Sequence, residues 1–107
     1  MSKRDILESK FQQQVKNRLK KLPNTWHFTK EAKSLRGLPD IVGVCNGVFF
    51  GWELKRSESE ARKKSGRIVL QRHILQLIRS CGGVGELVYP ENLDQQIQNL
   101  LQASRKH

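Results

Sequence analysis

The chain has 107 residues and carries 20 Lys and Arg against 10 Asp and Glu, which gives a formal net charge of +10. This length suits one domain with a single core and leaves no room for a second. No apolar run is long enough to span a bilayer and no secretory signal follows Met1, so we expect a cytoplasmic protein. The positive excess favours a polyanionic partner, although charge alone does not separate DNA from RNA or from an anionic membrane.

The first predicted element is a helix over residues 7–22, because apolar residues recur there at spacings of three and four. Thr25 to Thr29 alternates and predicts a short strand, in which we assign Trp26 and Phe28 to the core. A polar and basic connection follows over residues 30–39.

The clearest local pattern is a hairpin. Two strand-like apolar runs, residues 40–45 and 48–55, are separated by Asn46-Gly47. Asn-Gly between two apolar runs predicts a two-residue type I′ turn, since both central residues of that turn need a positive φ.

Residues 56–67 are highly charged and almost free of apolar side chains, which predicts an exposed, mobile basic loop. A second amphipathic helix is predicted from Leu70 to Cys81, and a strand over residues 84–89. A last helix is expected from Leu93, with residues 104–107 as a frayed tail.

The predicted order of elements is α-β-β-β-α-β-α. The third strand, the helix after it and the fourth strand form a crossover unit, which favours parallel pairing of the two strands. We therefore expect an α/β fold in which helices flank a mixed sheet of about four strands.

The hairpin also brings two acids together. Continued outwards from the turn, its register places Asp40 directly opposite Glu53, at a position where opposed Cα atoms approach to about 4.5 Å and side chains share one face. Lys55 projects from the same side of its strand. Two carboxylates so close need a shared proton, a basic partner or a divalent cation between them, and Mg²⁺ prefers such hard oxygen ligands.

A purely structural interpretation is also open. Asp40 would then cap a loop, and Glu53 and Lys55 would lie on a solvated strand face. The strongly apolar strand around Glu53 weakens that interpretation, because a carboxylate buried in such a strand needs compensation. A zinc site is not expected, since there is no Cys-x-x-Cys and the three histidines are far apart in the sequence.

These residues resemble a known family. Gly37-Leu38-Pro39-Asp40, a hairpin-length gap and then Glu53-Leu54-Lys55 are similar to the pattern of the PD-(D/E)XK nuclease superfamily. Within it the chain resembles the small stand-alone bacterial and phage members of the VRR-NUC group. Three further features fit that group: Glu8 on the first helix, Gln71 at the start of the helix after the hairpin, and Gly82-Gly83 at its end. The long charged loop after Lys55 departs from the pattern.

The resemblance implies one restriction-endonuclease-like domain over residues 1–107 that hydrolyses DNA phosphodiester bonds with Mg²⁺, for which Mn²⁺ would substitute. Asp40, Glu53, the backbone carbonyl of Leu54 and Glu8 would hold the metal.

The catalytic roles implied by the resemblance fall on the same residues and on two others. Lys55 would orient or help to deprotonate the attacking water and stabilise charge on the phosphate. Gln71 would position that water or a nearby phosphate, and Glu8 would complete the cluster directly or through water. Phosphate contacts are expected from five basic residues near the site: Lys33, Arg36, Arg62, Lys63 and Lys64.

The resemblance further implies a homodimer that cuts branched DNA, such as four-way Holliday junctions in repair or recombination, without a membrane or zinc. Two identical sites suit a two-fold substrate. We expect the interface to use apolar surface of the first helix or of the last, including Ile97 and Leu101, unless these residues complete the monomer core. Two alternatives remain at this point: a nuclease for flaps, nicks or RNA, and a non-catalytic nucleic-acid-binding protein.

Overall fold

The computed structural model describes residues 3–30 and 37–105, with side chains from Leu7 onward. In chain order the elements are α1 (Lys3–Lys20), β1 (Thr25–Thr29), β2 (Ile41–Cys45), β3 (Val48–Leu54), α2 (Glu58–Ala61), α3 (Gly66–Ser80), β4 (Val84–Val88), a 3-10 turn (Pro90–Asn92) and α4 (Leu93–Arg105). The predicted order is confirmed except for α2, which is additional. Within these residues, no helix combines the length and the apolar character needed to cross a membrane.

The four strands form one sheet in the order β1-β2-β3-β4. The pairs β1-β2 and β2-β3 are antiparallel, whereas β3 and β4 are parallel and are connected through α3. The predicted α/β fold with a mixed four-stranded sheet and flanking helices is therefore confirmed.

The predicted hairpin register is also confirmed. Cys45 pairs with Val48 and Ile41 pairs with Trp52. The two turn residues have positive φ angles, 49° at Asn46 and 85° at Gly47, as a type I′ turn requires. Because a slip of one residue would exchange the two faces of the strands, this turn decides which side chains meet near the far end of the hairpin.

One face of the sheet packs against α1 and α4. Ile41, Phe50 and Trp52 project from this face and are fully buried. They form one cluster with apolar residues of the two helices: Phe11, Val15, Leu19, Leu93, Ile97 and Leu100. Each large apolar side chain contributes about 1.5–3 kcal/mol when it leaves water, so this cluster holds both helices on the sheet.

The predicted contribution of α4 to a dimer interface is not supported by this packing. Ile97 is only 4% exposed, and Leu101 packs against the same core while partly buried. These two residues complete the core of the monomer, because the apolar stripe of α4 is turned towards the sheet.

The opposite face of the sheet is divided into two halves. Over β3 and β4 it is covered by α3, whose approach depends on glycine. A Cβ at Gly85 would lie 2.5 Å from the backbone oxygen of Leu75, and one at Gly51 would lie 2.7 Å from a methyl group of Ile78. The helix could not sit this close to side chains larger than hydrogen.

Over β1 and β2 the same face is exposed. Trp26 is 62% exposed and Phe28 is 54% exposed, so the assignment of these rings to the core is wrong. The alternation along β1 is real, but Trp26 pairs with Val44 and Phe28 pairs with Val42, on the face opposite to the α1–α4 core. Long-range pairing, which the local pattern does not contain, decides which side of β1 is buried.

The segment predicted as a mobile loop over residues 56–67 contains regular structure. The short helix α2 is capped by Ser57, whose hydroxyl accepts from the Glu60 amide at 3.2 Å. Ala61 is buried, and its carbonyl accepts from Arg72 at 2.7 Å. The prediction of a loop without helix is wrong here, although Ser-x-x-Glu is a helix-start pattern that the sequence contains.

Two further boundaries differ from those predicted. Helix α3 begins at Gly66 after the cap Ser65, so Gln71 lies in its second turn and does not open the helix. Helix α4 continues through Arg105, and Ser104 is buried with its hydroxyl bonded to the Leu101 carbonyl at 2.8 Å. The prediction of a frayed tail is thus wrong for residues 104–105, and residues 106–107 lie outside the described part.

Candidate active site

The candidate site lies where β2 begins and β3 ends. Asp40 immediately precedes β2, and its Oδ2 accepts a 2.9 Å hydrogen bond from the amide of Leu54 at the end of β3. Its carbonyl accepts from the amide of Lys30 at 2.9 Å, which extends the β1-β2 pairing by one residue. Asp40 is therefore fixed by both neighbouring strands.

Glu53 lies beside Asp40 and is almost completely buried, with 3% of its surface exposed. Burial, followed by the hydrogen bond and the negative charge of Asp40, raises the pKa of Glu53 to about 9, against the opposing charges of Lys55 and Lys30. Without a bound cation, Glu53 is thus protonated at neutral pH. Its Oε2 has no hydrogen-bond partner among residues 3–30 and 37–105.

Lys55 follows directly after β3, where its amide donates to the Val88 carbonyl at 2.8 Å. Its ammonium donates to Oε1 of the buried Gln71 on α3 at 2.8 Å. Burial lowers the pKa of Lys55, opposed by the carboxylates of Glu53 and Asp40. The lysine is therefore both held in place and made less basic than a free lysine.

These groups fit a hard divalent cation. Two carboxyl groups lie against one another, and a buried oxygen of Glu53 lacks a partner among the described residues. A cation held by them would satisfy that oxygen and would stabilise the ionised form of Glu53, which burial and the neighbouring Asp40 otherwise disfavour. Leu54 lies between Glu53 and Lys55, and the role of its carbonyl as a further ligand stays a prediction.

Glu8 does not join this group. Within the described part of the chain, no three His, Cys, Asp or Glu side chains are close enough to hold a metal ion together. Glu8 is exposed on α1. Leu7 is 48% exposed, whereas Phe11, one turn later, is buried. The N-terminal part of α1, which carries Glu8, therefore lies outside the core. A direct three-carboxylate cluster is thus not formed among the described residues, and the role of Glu8 through water stays a prediction.

The expected phosphate contacts fall into two groups. Lys33 and Arg36 lie outside the described residues. Arg62 and Lys63 are 77% and 59% exposed and pair with Glu58 at 2.5 Å and Glu60 at 3.0 Å, respectively, while Lys64 is exposed. Exposed ion pairs contribute only about 0–1 kcal/mol, so these side chains remain able to exchange their acidic partners for phosphate.

Sequence reasoning does not single out Lys30. Its ammonium donates to the Leu38 carbonyl at 2.8 Å, within the Gly37-Leu38-Pro39-Asp40 segment, and its charge acts on Glu53. The alternation along β1 could have identified Lys30 as a residue of this face, because Lys30 continues the alternation of Trp26 and Phe28.

Comparisons of the chain with protein-family models, with curated proteins and with solved structures give no match.

Proposed function

We propose that this chain is a metal-dependent endonuclease of the PD-(D/E)XK superfamily, of the VRR-NUC type, that hydrolyses DNA phosphodiester bonds. The observation that carries the proposal is the pairing of Asp40 with a buried Glu53 whose oxygen has no partner in the described part of the chain, next to the Lys55–Gln71 contact. A protein that only bound nucleic acid would gain nothing from two acids at this position, because phosphate repels the Asp40 carboxylate and a neutral Glu53 adds no attraction for it.

Asp40 and Glu53 would hold the cation, which for hard oxygen ligands is Mg²⁺, with Mn²⁺ as a substitute. When bound, the metal supplies Lewis acidity at the phosphate and a more acidic water molecule. Glu53 must release its proton to become a ligand, so the site is expected to load more readily as the pH rises.

Lys55 lies on the same side of β3 as Glu53 and would stabilise the negative charge that develops on the phosphate. Its lowered pKa also lets it give up a proton more easily than a free lysine. Gln71 accepts a hydrogen bond from this ammonium and is a positioning residue for it. This assignment differs from the direct contact with water or phosphate that the resemblance implies.

The substrate is proposed to be DNA because the net charge of +10 favours a polyanion and the family acts on DNA. Branched DNA, including four-way junctions cut by a homodimer in the cytoplasm, remains the proposed biological target, with flaps, nicks and RNA as alternatives.

A cleavage assay on supercoiled plasmid, four-way junction, flap and linear duplex, each with Mg²⁺ or EDTA, tests the reaction class. We expect strand cleavage with Mg²⁺ and none with EDTA. Glu53→Gln should remove it, since the amide fits the buried site of a protonated carboxyl but does not ligate a metal as an anion. Glu86→Gln is the matched control, because Glu86 lies on the adjacent strand β4 and pairs with Arg79 at 3.2 Å. Cleavage that continues unchanged in EDTA would refute a metal nuclease.

A further inference from the structure

The exposed part of the sheet face opposite to α1 and α4 extends from β1 and β2 to Phe49 at the start of β3. It presents a surface of aromatic rings, which we call the ring face: Trp26, Phe28 and Phe49. The register aligns Trp26 with Val44 and Val44 with Phe49, so these three side chains form one row on the same face. Phe28 is aligned with Val42 in the next row. The rings are 62%, 54% and 44% exposed, respectively.

The ring face adjoins the candidate active site. After the row that contains Phe28, the next row on the same face begins with Lys30 and continues through Asp40, whose carbonyl accepts from the Lys30 amide, to Glu53 on β3. Adjacent rows are two residues apart along a strand, which is about 7 Å. A strand of nucleic acid that runs straight across these rows could therefore contact both the rings and the acids.

The charge of this region favours nucleic acid. The ring face contains no Asp or Glu before Asp40 is reached, and Lys30 and Lys55 flank the acids. Several acids elsewhere in the described part are engaged by bases, as in the pairs Asp94–Arg18 and Glu86–Arg79. The surplus of positive charge therefore remains available to a polyanion.

The type of side chain also favours nucleic acid over a second copy of this chain. Every base offers a flat π-surface that an exposed aromatic ring can stack on, whatever the sequence. A second copy seated on Phe28 would lie within about 7 Å of the Asp40 row. There it would obstruct the approach of phosphate to the acids.

We propose that Trp26, Phe28 and Phe49 form a stacking platform for unpaired bases of the strand whose phosphate reaches Asp40 and Glu53. This inference rests on the proposed nuclease function and narrows its substrates to nucleic acid with a single-stranded segment, such as a flap, a gap or an opened branch. Duplex bases are already stacked on one another and cannot use the platform.

Fluorescence anisotropy of a labelled oligothymidylate and of a blunt duplex, both in EDTA, tests the platform without any cleavage. Trp26→Leu and Phe28→Leu keep apolar bulk but remove the ring. We expect each to weaken single-strand binding about tenfold and to leave duplex binding within about twofold. Val69→Ala is the matched control, since Val69 is an exposed apolar residue on α3 (60%) and should change neither affinity.

Tryptophan emission adds an independent readout. Trp26 is exposed and Trp52 is fully buried, so stacking should quench Trp26 alone. Trp26→Phe should retain single-strand affinity while it abolishes the quenching by oligothymidylate. Equal melting temperatures for all variants would show that the exposed substitutions do not disturb folding.

Unchanged single-strand affinity in both leucine variants would overturn the platform. So would a wild-type dimer, seen by analytical ultracentrifugation, that Phe49→Ala and Leu77→Ala both dissociate, because these residues line one apolar groove and a second copy would then occupy the face. Mg²⁺-dependent cleavage with unaffected single-strand binding in the leucine variants refutes the platform alone. Platform binding by a wild-type protein that never cleaves refutes the nuclease alone.

Discussion

Glu53 and Glu60 are the same residue type, seven positions apart, and they differ in their surroundings and in the direction of their pKa shifts. Glu53 lies in the sheet beside another acid, and burial raises its pKa to about 9. Glu60 lies on α2, where hydrogen bonds from Arg56 and Lys63 lower its pKa to about 2. Glu53 lies against the carboxyl group of Asp40, whereas Glu60 is bonded to two bases. The environment of Glu53 therefore suits a cation, and the charge of Glu60 is already neutralised.

The largest expected effect tests the functional half of this contrast. Asp40→Asn and Glu53→Gln should each reduce cleavage by more than about a thousandfold, since each removes an anionic metal ligand. Glu60→Gln should leave the rate within a few fold, because Glu60 only balances the neighbouring bases Arg56 and Lys63. Quantified cleavage of an end-labelled substrate provides the measurement. Equal losses at Glu60 and Glu53 would remove the distinction between the two acids.

Lys55 and Gln71 provide the next largest effects. Lys55→Ala should lower kcat by about a hundredfold or more, because it removes the charge next to the developing phosphate charge. Gln71→Ala should have a smaller effect, about tenfold, and should displace the pH–rate profile, since it removes the acceptor of the Lys55 ammonium. A pH–rate profile of the Gln71 variant that coincides with the wild-type profile would show that Gln71 does not act through Lys55.

The pH dependence of stability tests the Glu53 environment without any substrate. The folded-state pKa of Glu53 is raised above its value in the unfolded chain, so the metal-free protein binds the proton more tightly when folded. Its contribution to stability is complete below about pH 4.5 and is lost as the pH rises towards about 9.

Urea unfolding of the metal-free protein between pH 5 and pH 9 measures this loss. We expect the wild type to lose at least about 1 kcal/mol through Glu53 over this range, and Glu53→Gln to lose correspondingly less. Identical pH dependence in the two proteins would indicate an ordinary carboxylate at position 53.

The smallest effect concerns the bases around α2. Replacing Arg62, Lys63 and Lys64 together by Ala should weaken DNA binding a few fold for all sequences. The slope of log affinity against log salt should fall by roughly one unit for each phosphate that the variant no longer neutralises. A salt titration by anisotropy measures this slope. An unchanged slope would show that Arg62 and Lys63 keep their acidic partners, Glu58 and Glu60, when DNA binds.

The parts of this molecule that sequence predicts well are those in which local chemistry decides the structure. The Asn46-Gly47 turn sets the hairpin register, and the register alone brings Asp40 next to Glu53. The Ser57-x-x-Glu60 pattern is equally local and begins a helix, so the prediction of disorder from the charge of that segment gives too little weight to the cap.

Other features depend on packing between distant segments, and sequence patterns do not contain them. The exposed side of β1 follows from its pairing with β2, which turns Trp26 outward although the alternation itself is correctly predicted. Glu8 is exposed because the N-terminal part of α1 lies outside the core. The contact between Lys55 and Gln71 requires α3 to approach the sheet over Gly51 and Gly85.

Calorimetric titration of the metal-free protein with Mn²⁺, in two buffers of different ionisation enthalpy, tests most directly whether Asp40 and Glu53 form a metal site. Because Glu53 is protonated at neutral pH and must ionise to ligate, we predict that binding there releases close to one proton per ion. Glu53→Gln should lose both the binding and the release, whereas Glu60→Gln should retain both. Absence of binding, or binding that releases no proton and survives Glu53→Gln, would contradict a metal site built on these two acids.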